Sequence, residues 1–189
     1  MFDEDKVGCA SLTKKMYAQI EENVVEMYEN LGICKHPINP FDIAAQLGYT
    51  TRAYSKLDDE TILFLSEKEM DGFSYYNDKE NRYYICYDDK EILARQYFTV
   101  MHEIGHIRMN HKEGSVLADK IADYFAAYSL VPSPIVGLYW CEDFIDVMYE
   151  FDVSEACANR CFNRFTNWQH YGGKLKAYEK RLLKLFEKE

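Results

Sequence analysis

The spacing of apolar positions changes twice along the chain. Over residues 12–31, Met16, Ile20, Val24, Met27 and Leu31 recur at intervals of three and four, which predicts an amphipathic helix. Gly32 is placed to close it. Pro40 suits the first turn of a short helix carrying Ile43, Ala44 and Leu47, closed by Gly48. Residues 49–55, 61–66, 72–76 and 82–87 are then rich in Tyr, Thr, Ile and Phe, with turn-forming residues such as Asn77-Asp78-Lys79-Glu80-Asn81 between them. They predict a small, mainly antiparallel sheet of three to four strands, the last two forming a hairpin. From residue 91 the helical period returns. Helices are expected over 91–109, 116–130 (stopped by Pro132), 142–151, 154–168 and 174–188. Ser154 is a suitable N-cap for the fourth of these. The last has Leu175, Tyr178, Leu182 and Leu185 as its stripe, and its Lys and Arg excess reads as a solvated face.

This order predicts an α+β fold in which a small sheet packs on two central helices. It reads as one domain: a helical extension over 1–35, a core over 36–135 and further helices over 136–189. A chain of 189 residues is long enough to bury roughly 70% of its unfolded surface without disulfide staples. The net charge of -10 works against binding to phosphate backbones and to anionic membranes. No apolar run approaches the roughly 18 residues of a membrane span. The acidic start, Met1-Phe2-Asp3-Glu4-Asp5, is unlike a secretory signal. The six cysteines are scattered, with no CxxC pair, so reduced thiols and a cytoplasmic location are expected. Cys157 and Cys161 stand one helical turn apart; without a second ligand pair they read as small core residues and not as a zinc site.

The sharpest chemical signal is His102-Glu103-Ile104-Gly105-His106, an HExxH inside a predicted helix. Residues four apart share a helix face, so both histidines can reach one zinc ion, and Glu103 beside them can take a proton from an attacking water. Gly105 costs helix propensity, which makes sense if a second helix must come close. Two histidines leave zinc short of a third protein ligand. The extended motif HExxHxxGxxH fails, since Met109 and Lys112 stand where glycine and histidine are required, and His111 is out of register by one. Asp119 and Asp123, spaced i, i+4 on the next helix, are the better candidates. Asp119 is assigned as third ligand, with Asp123 hydrogen-bonded to a ligand histidine. The reverse assignment stays open, with Glu113 as a weaker outsider. Tyr124, Tyr128 and His111 are candidates for the donor that stabilises an oxyanion.

These residues resemble the ImmA/IrrE-type metallopeptidases, a gluzincin-like group of small bacterial and phage proteins. The matching segments run in order from Pro40-Phe41-Asp42-Ile43-Ala44-Ala45-Gln46-Leu47-Gly48 through Gly72-Phe73-Ser74-Tyr75-Tyr76, Arg82-Tyr83-Tyr84-Ile85 and Phe98-Thr99-Val100-Met101 with the HExxH. They continue through Ala122-Asp123-Tyr124-Phe125-Ala126-Ala127 to Phe151-Asp152-Val153-Ser154-Glu155-Ala156. Three positions depart from the family pattern: Asp119 where glutamate is usual, Tyr97 for a common arginine and Met101 for a common alanine. The resemblance implies a minimal zincin-like fold, one zinc per chain and a cytoplasmic endopeptidase. It further implies that the substrate is a helix-turn-helix transcriptional repressor encoded nearby, whose cleavage derepresses mobile-element, phage or stress-response genes. The alternative is a non-cleaving interaction protein, an anti-repressor or toxin–antitoxin component on the same scaffold; an intact Glu103 favours the enzyme. Residues 144–162 have the outline of half a helix-turn-helix. Asp146, Glu150, Asp152 and Glu155 against Arg160 alone give that segment the wrong charge for DNA.

Overall fold

The computed structural model describes residues 11–58, 60–61, 70–112 and 114–187. Helix α1 (Lys14–Leu31) starts where the Thr13 side chain accepts from the Met16 N–H, and it ends at Gly32, whose positive φ of 67° lets the chain leave in a left-handed turn. Helix α2 (Pro40–Gln46) begins with Pro40 behind an Asn39 cap. Strands β1 (Thr50–Ala53), β2 (Gly72–Asn77) and β3 (Arg82–Tyr87) form one sheet in the order β1-β3-β2.

The hairpin expected from the last two strand segments is present, with Gly72 opposite Tyr87 and Asn77 opposite Arg82. The first strand departs from the expected arrangement. β1 pairs with β3 in parallel, Thr50 opposite Tyr84, so the sheet is mixed and not mainly antiparallel. The reason is the connection: β1 is followed by a one-turn helix (Tyr54–Lys56) and a long excursion, so the chain does not reverse beside it. The strand expected over 61–66 lies outside the described residues except for Thr61. Thr61 is helical, with its N–H and hydroxyl both on the Asp58 carboxylate.

The helical half follows the sequence pattern closely. Helix α3 (Leu93–Arg108) holds the HExxH, and α4 (Val116–Leu130) starts behind a Ser115 cap and stops before Pro132. Helix α5 (Ser133–Leu138) was not expected, since a proline pair reads as a break; Pro134 sits in its first turn, where a missing N–H costs nothing. Helices α6 (Phe144–Phe151), α7 (Glu155–Tyr171) and α8 (Ala177–Phe186) complete the chain. Residues 116–138, against expectation, have the length and hydropathy of a membrane span. They are α4 and α5 of the core, and 72% of the apolar window is buried inside the fold.

The core joins β3 (Ile85), α1 (Ile20, Val24, Met27), α3 (Val100, Met101, Ile104) and α4 (Phe125, Ala126), all fully buried. Helices α3 and α4 pack closely because Gly105 has no side chain. A Cβ there would lie 3.1 Å from the Phe125 side chain. The last helix is not a free solvated one. Its buried stripe is Tyr178, Leu182 and Phe186, packed against α1 and α5, while Leu175 is partly exposed. Arg181 and the capping Lys176 reach α1, at Glu29 and Glu21, while Lys180 and Lys184 form the exposed basic face that the sequence indicates.

Candidate active site

The HExxH lies in the last two turns of α3, and α4 crosses beside it. The i, i+4 spacing turns His102 and His106 to one side, with their Nε2 atoms 2.9 Å apart. Asp119, in the first turn of α4, places Oδ1 3.6 Å from His106 Nε2. One turn later, Asp123 Oδ1 lies 2.9 Å from His102 Nδ1. Because a carboxylate only accepts, His102 Nδ1–H is the donor, and in a neutral ring that leaves Nε2 as a bare lone pair. Burial pushes the Asp123 carboxyl up, but the His102 bond, helped by Arg160 and Arg95, outweighs it and leaves the net shift downward.

His106 Nδ1 is 3.0 Å from His111 Nδ1, so His111 sits inside the cluster and not on the open surface. Burial is the main force holding the His106 pKa down to about 4, and both neighbouring histidines add to it against Asp119 and Asp123. His106 is therefore neutral near pH 7. When it donates through Nδ1 to His111, its Nε2 is also bare. Two bare imidazole nitrogens at 2.9 Å require a cation or a shared proton between them.

His102, His106 and Asp119 each offer one ligand atom, all within 4.8 Å of one another. Tetrahedral zinc with bonds near 2.1 Å separates its ligand atoms by about 3.4 Å. The spacings of 2.9 and 3.6 Å lie within about half an ångström of that and the third is no more than 4.8 Å, so small side-chain shifts would fit the donor set to a zinc-sized ion. Gly105 lets α4 come close to α3, and the aspartate at 119 lies beside His106. Glu113 lies outside the described residues. Cys157 and Cys161 are buried on α7 with their sulfurs 3.9 Å apart and are not part of this donor group.

Glu103 is 7% exposed. Burial raises its carboxyl above the usual range; the Ser74 hydrogen bond and His102 pull it back, while Asp119 pushes with burial. The Ser74 hydroxyl donates to Oε2 at 2.7 Å and fixes the carboxylate's direction. Ser74 was not among the residues picked out for chemistry. Its one sequence signal was its position in the Gly72-Phe73-Ser74 segment, on a strand expected to lie against the HExxH helix. Gly72 permits that approach: a Cβ there would run into the Thr99 methyl and stand 3.0 Å from the Cys86 carbonyl.

Not every candidate reaches the cleft. Tyr124 turns away from it and donates its hydroxyl to Glu21 at 2.6 Å inside the core. Tyr128 stacks beside Tyr124 and is 4% exposed. Neither can serve an oxyanion in this arrangement, because i+1 and i+5 from Asp123 point to a different side of the helix. Of the three, His111 alone lines the cleft. That cleft runs past Met70, Gly72 and Ser74 on the sheet side and His102, Glu103 and Asp119 on the helix side.

A family model described as Peptidase M78, IrrE N-terminal-like domain, matches residues 58–160, more than half of the chain. No curated protein matches the sequence significantly.

Proposed function

The chain belongs to the ImmA/IrrE family, a metallopeptidase family, and from that premise we propose that it is a zinc-dependent endopeptidase. His102, His106 and Asp119 would hold the metal, and Asp123 would keep His102 in the right tautomer. Bound zinc supplies Lewis-acid polarisation of a carbonyl and a lowered water pKa. The observation that carries the reading is Glu103: a buried carboxylate, aimed by Ser74, beside a His/His/Asp cluster. A general base works best when its pKa lies nearer the working pH than that of an ordinary carboxylate, and burial moves Glu103 that way. Glu103 then takes a proton from the attacking water and returns it to the leaving amine.

The substrate side of the cleft supports a peptide. Among the described residues β2 is an edge strand in the order β1-β3-β2, and Gly72 and Ser74 border the cleft. An extended chain can pair with such an edge and pass its scissile bond beside Glu103. The substrate we propose is a helix-turn-helix repressor encoded nearby, met in the cytoplasm. The net charge of -10 suits a basic, DNA-binding partner and not DNA itself.

The test is cleavage of the neighbouring repressor by zinc-loaded protein, with Glu103→Gln as control. That variant should retain zinc and lose cleavage. A variant that still relieves repression would favour the non-cleaving anti-repressor reading instead.

A further inference from the structure

Beyond the metal cluster the cleft opens into a second hollow of about 280 Å³ between α3, α4 and α7. Arg95, Phe98 and Asp123 line both spaces, so the hollow borders the cleft. Its remaining wall is one face of α7. Cys157, Arg160, Cys161 and Arg164 follow each other at spacings of three, one and three, so all four lie on that face. Cys157 and Cys161 are its buried part, and Arg160 and Arg164 stand outward of them.

Three arginines, Arg95, Arg160 and Arg164, thus line one end of a cleft whose other walls carry Asp71, Glu103, Asp119 and Asp123. In a chain of net charge -10 this concentration of cations runs against the general balance. Arg95 is paired with Asp71. Among the described residues no carboxylate lies within ion-pair distance of Arg160 or Arg164. Arg164 lies over the Tyr124 ring at 4.9 Å, which fixes its position without neutralising it. Asp123 is the one carboxylate lining the hollow, and its Oδ1 is already held by His102.

We infer that this hollow is a specificity subsite for an acidic side chain of the bound peptide, an Asp or Glu at a fixed position on one side of the scissile bond. The inference rests on the peptidase reading for its meaning in catalysis, but the subsite itself requires only that a peptide lie in the cleft. Arg160 and Arg164 receive the carboxylate, and Arg95, tied to Asp71, marks the boundary with the catalytic part. Guanidinium groups are suited to this because they offer planar, paired N–H donors to a carboxylate and stay charged at any working pH. The acidic remainder of the cleft would then favour neutral or basic residues at the other positions, which gives the substrate a direction.

Two measurements test it separately. The first is binding of capped decapeptides, identical except for one Glu, Gln or Lys moved along the sequence, to the full chain carrying Glu103→Gln. At one position Glu should bind about tenfold more tightly than Gln, and added salt should narrow the gap. Arg160→Glu should reverse the preference toward Lys at that same position. Arg164→Gln, which keeps a side chain over Tyr124, should reduce the preference without reversing it. Equal binding of the three peptides at every position, or a Glu preference unmoved by Arg160→Glu, would overturn the subsite. The second is mass spectrometry of a peptide mixture treated with the zinc-loaded native chain. Cut sites should share an acidic residue at one offset, and cut sites without one would also overturn it. A preference in binding with no cleavage of any peptide would uphold the subsite and count against the peptidase.

Discussion

Helix α4 carries polar groups on two sides, and the two are built in opposite ways. On the core side, Tyr124 and Tyr178 both donate to the Glu21 carboxylate at 2.6 Å, and Lys176 reaches the same group at 3.2 Å. Glu179 completes the network by accepting from Trp168 at 2.8 Å and from the Lys176 N–H. Each carboxylate there is answered by protein donors. On the cleft side, Asp119 and Asp123 are more than half exposed, and two histidines point ligand nitrogens at each other. The closed network ties α1, α4 and α8 together. The open one leaves two facing nitrogens for a cation or a shared proton to bridge, and it lies in a cleft. A cluster that satisfies itself stabilises a fold, whereas a cluster that needs an outside atom is where chemistry can occur.

Substitutions should separate the two sides, and the largest effect belongs to the open one. Glu103→Gln should lower peptidase turnover about a thousandfold, with zinc content and thermal midpoint close to those of the native chain. A loss of tenfold or less would remove Glu103 from the role of base. His102→Ala should abolish stoichiometric zinc in a metal analysis. Asp123→Asn should weaken zinc affinity about 10- to 100-fold, and Asp119→Ala should weaken it further; the reverse order would exchange the two aspartates. Neither aspartate change should cost much stability in the metal-free protein.

The closed side predicts the opposite signature. Glu21→Ala strands the hydroxyls of Tyr124 and Tyr178, and urea unfolding should show a loss of about 2–3 kcal/mol with zinc affinity almost unchanged. A strong fall in zinc affinity would mean that the core network also sets the position of the α4 ligands. Gly72→Ala tests the boundary, because the added methyl meets Thr99 and the Cys86 carbonyl and lies 3.8 Å from Glu103. It should cost about 1–2 kcal/mol and reduce turnover, since β2 must shift and carries Ser74 with it.

The smallest effect near neutral pH is a pH dependence of the core. His36 is buried against Phe151 and Phe186, and burial lowers its pKa to about 3. Its unfolded value is near 6.5, so between those values the unfolded chain binds the extra proton. Stability should therefore fall as pH drops from about 6.5 toward 3, by about 1 kcal/mol per pH unit from this group. His36→Phe should flatten that part of a stability–pH curve, and an unchanged slope would show that His36 is not its source.

Much of this was legible in the chain because it depends on neighbours a few residues apart. Helix α4 has the bounds that its apolar spacing and Pro132 indicate, and Ser154 caps α7 by accepting from the Cys157 N–H. Gly105 signalled a close helix crossing, and Phe125 is the residue it admits. The parallel pairing of β1 was not legible, because strand direction depends on the connection and not on the strand's own pattern. The tyrosines of α4 were misleading for a related reason. Their distance from the HExxH in sequence is short, but the helix turns them toward Glu21.

What the sequence by itself determined is local: the helical periods, the mixed α+β composition, and the pairing of His102 with His106 across one turn, since backbone geometry sets i, i+4 neighbours whatever else happens. What only the tertiary structure decided is how elements meet. The angle between α3 and α4 brings Asp119 to His106 and Asp123 to His102. The approach of β2 gives Glu103 its serine, and the seat of α7 turns two arginines toward the cleft. Those contacts join residues from 13 to about 70 positions apart, and they depend on how side chains of given volume fill the space between helices. Periodicity along one chain carries no record of that packing.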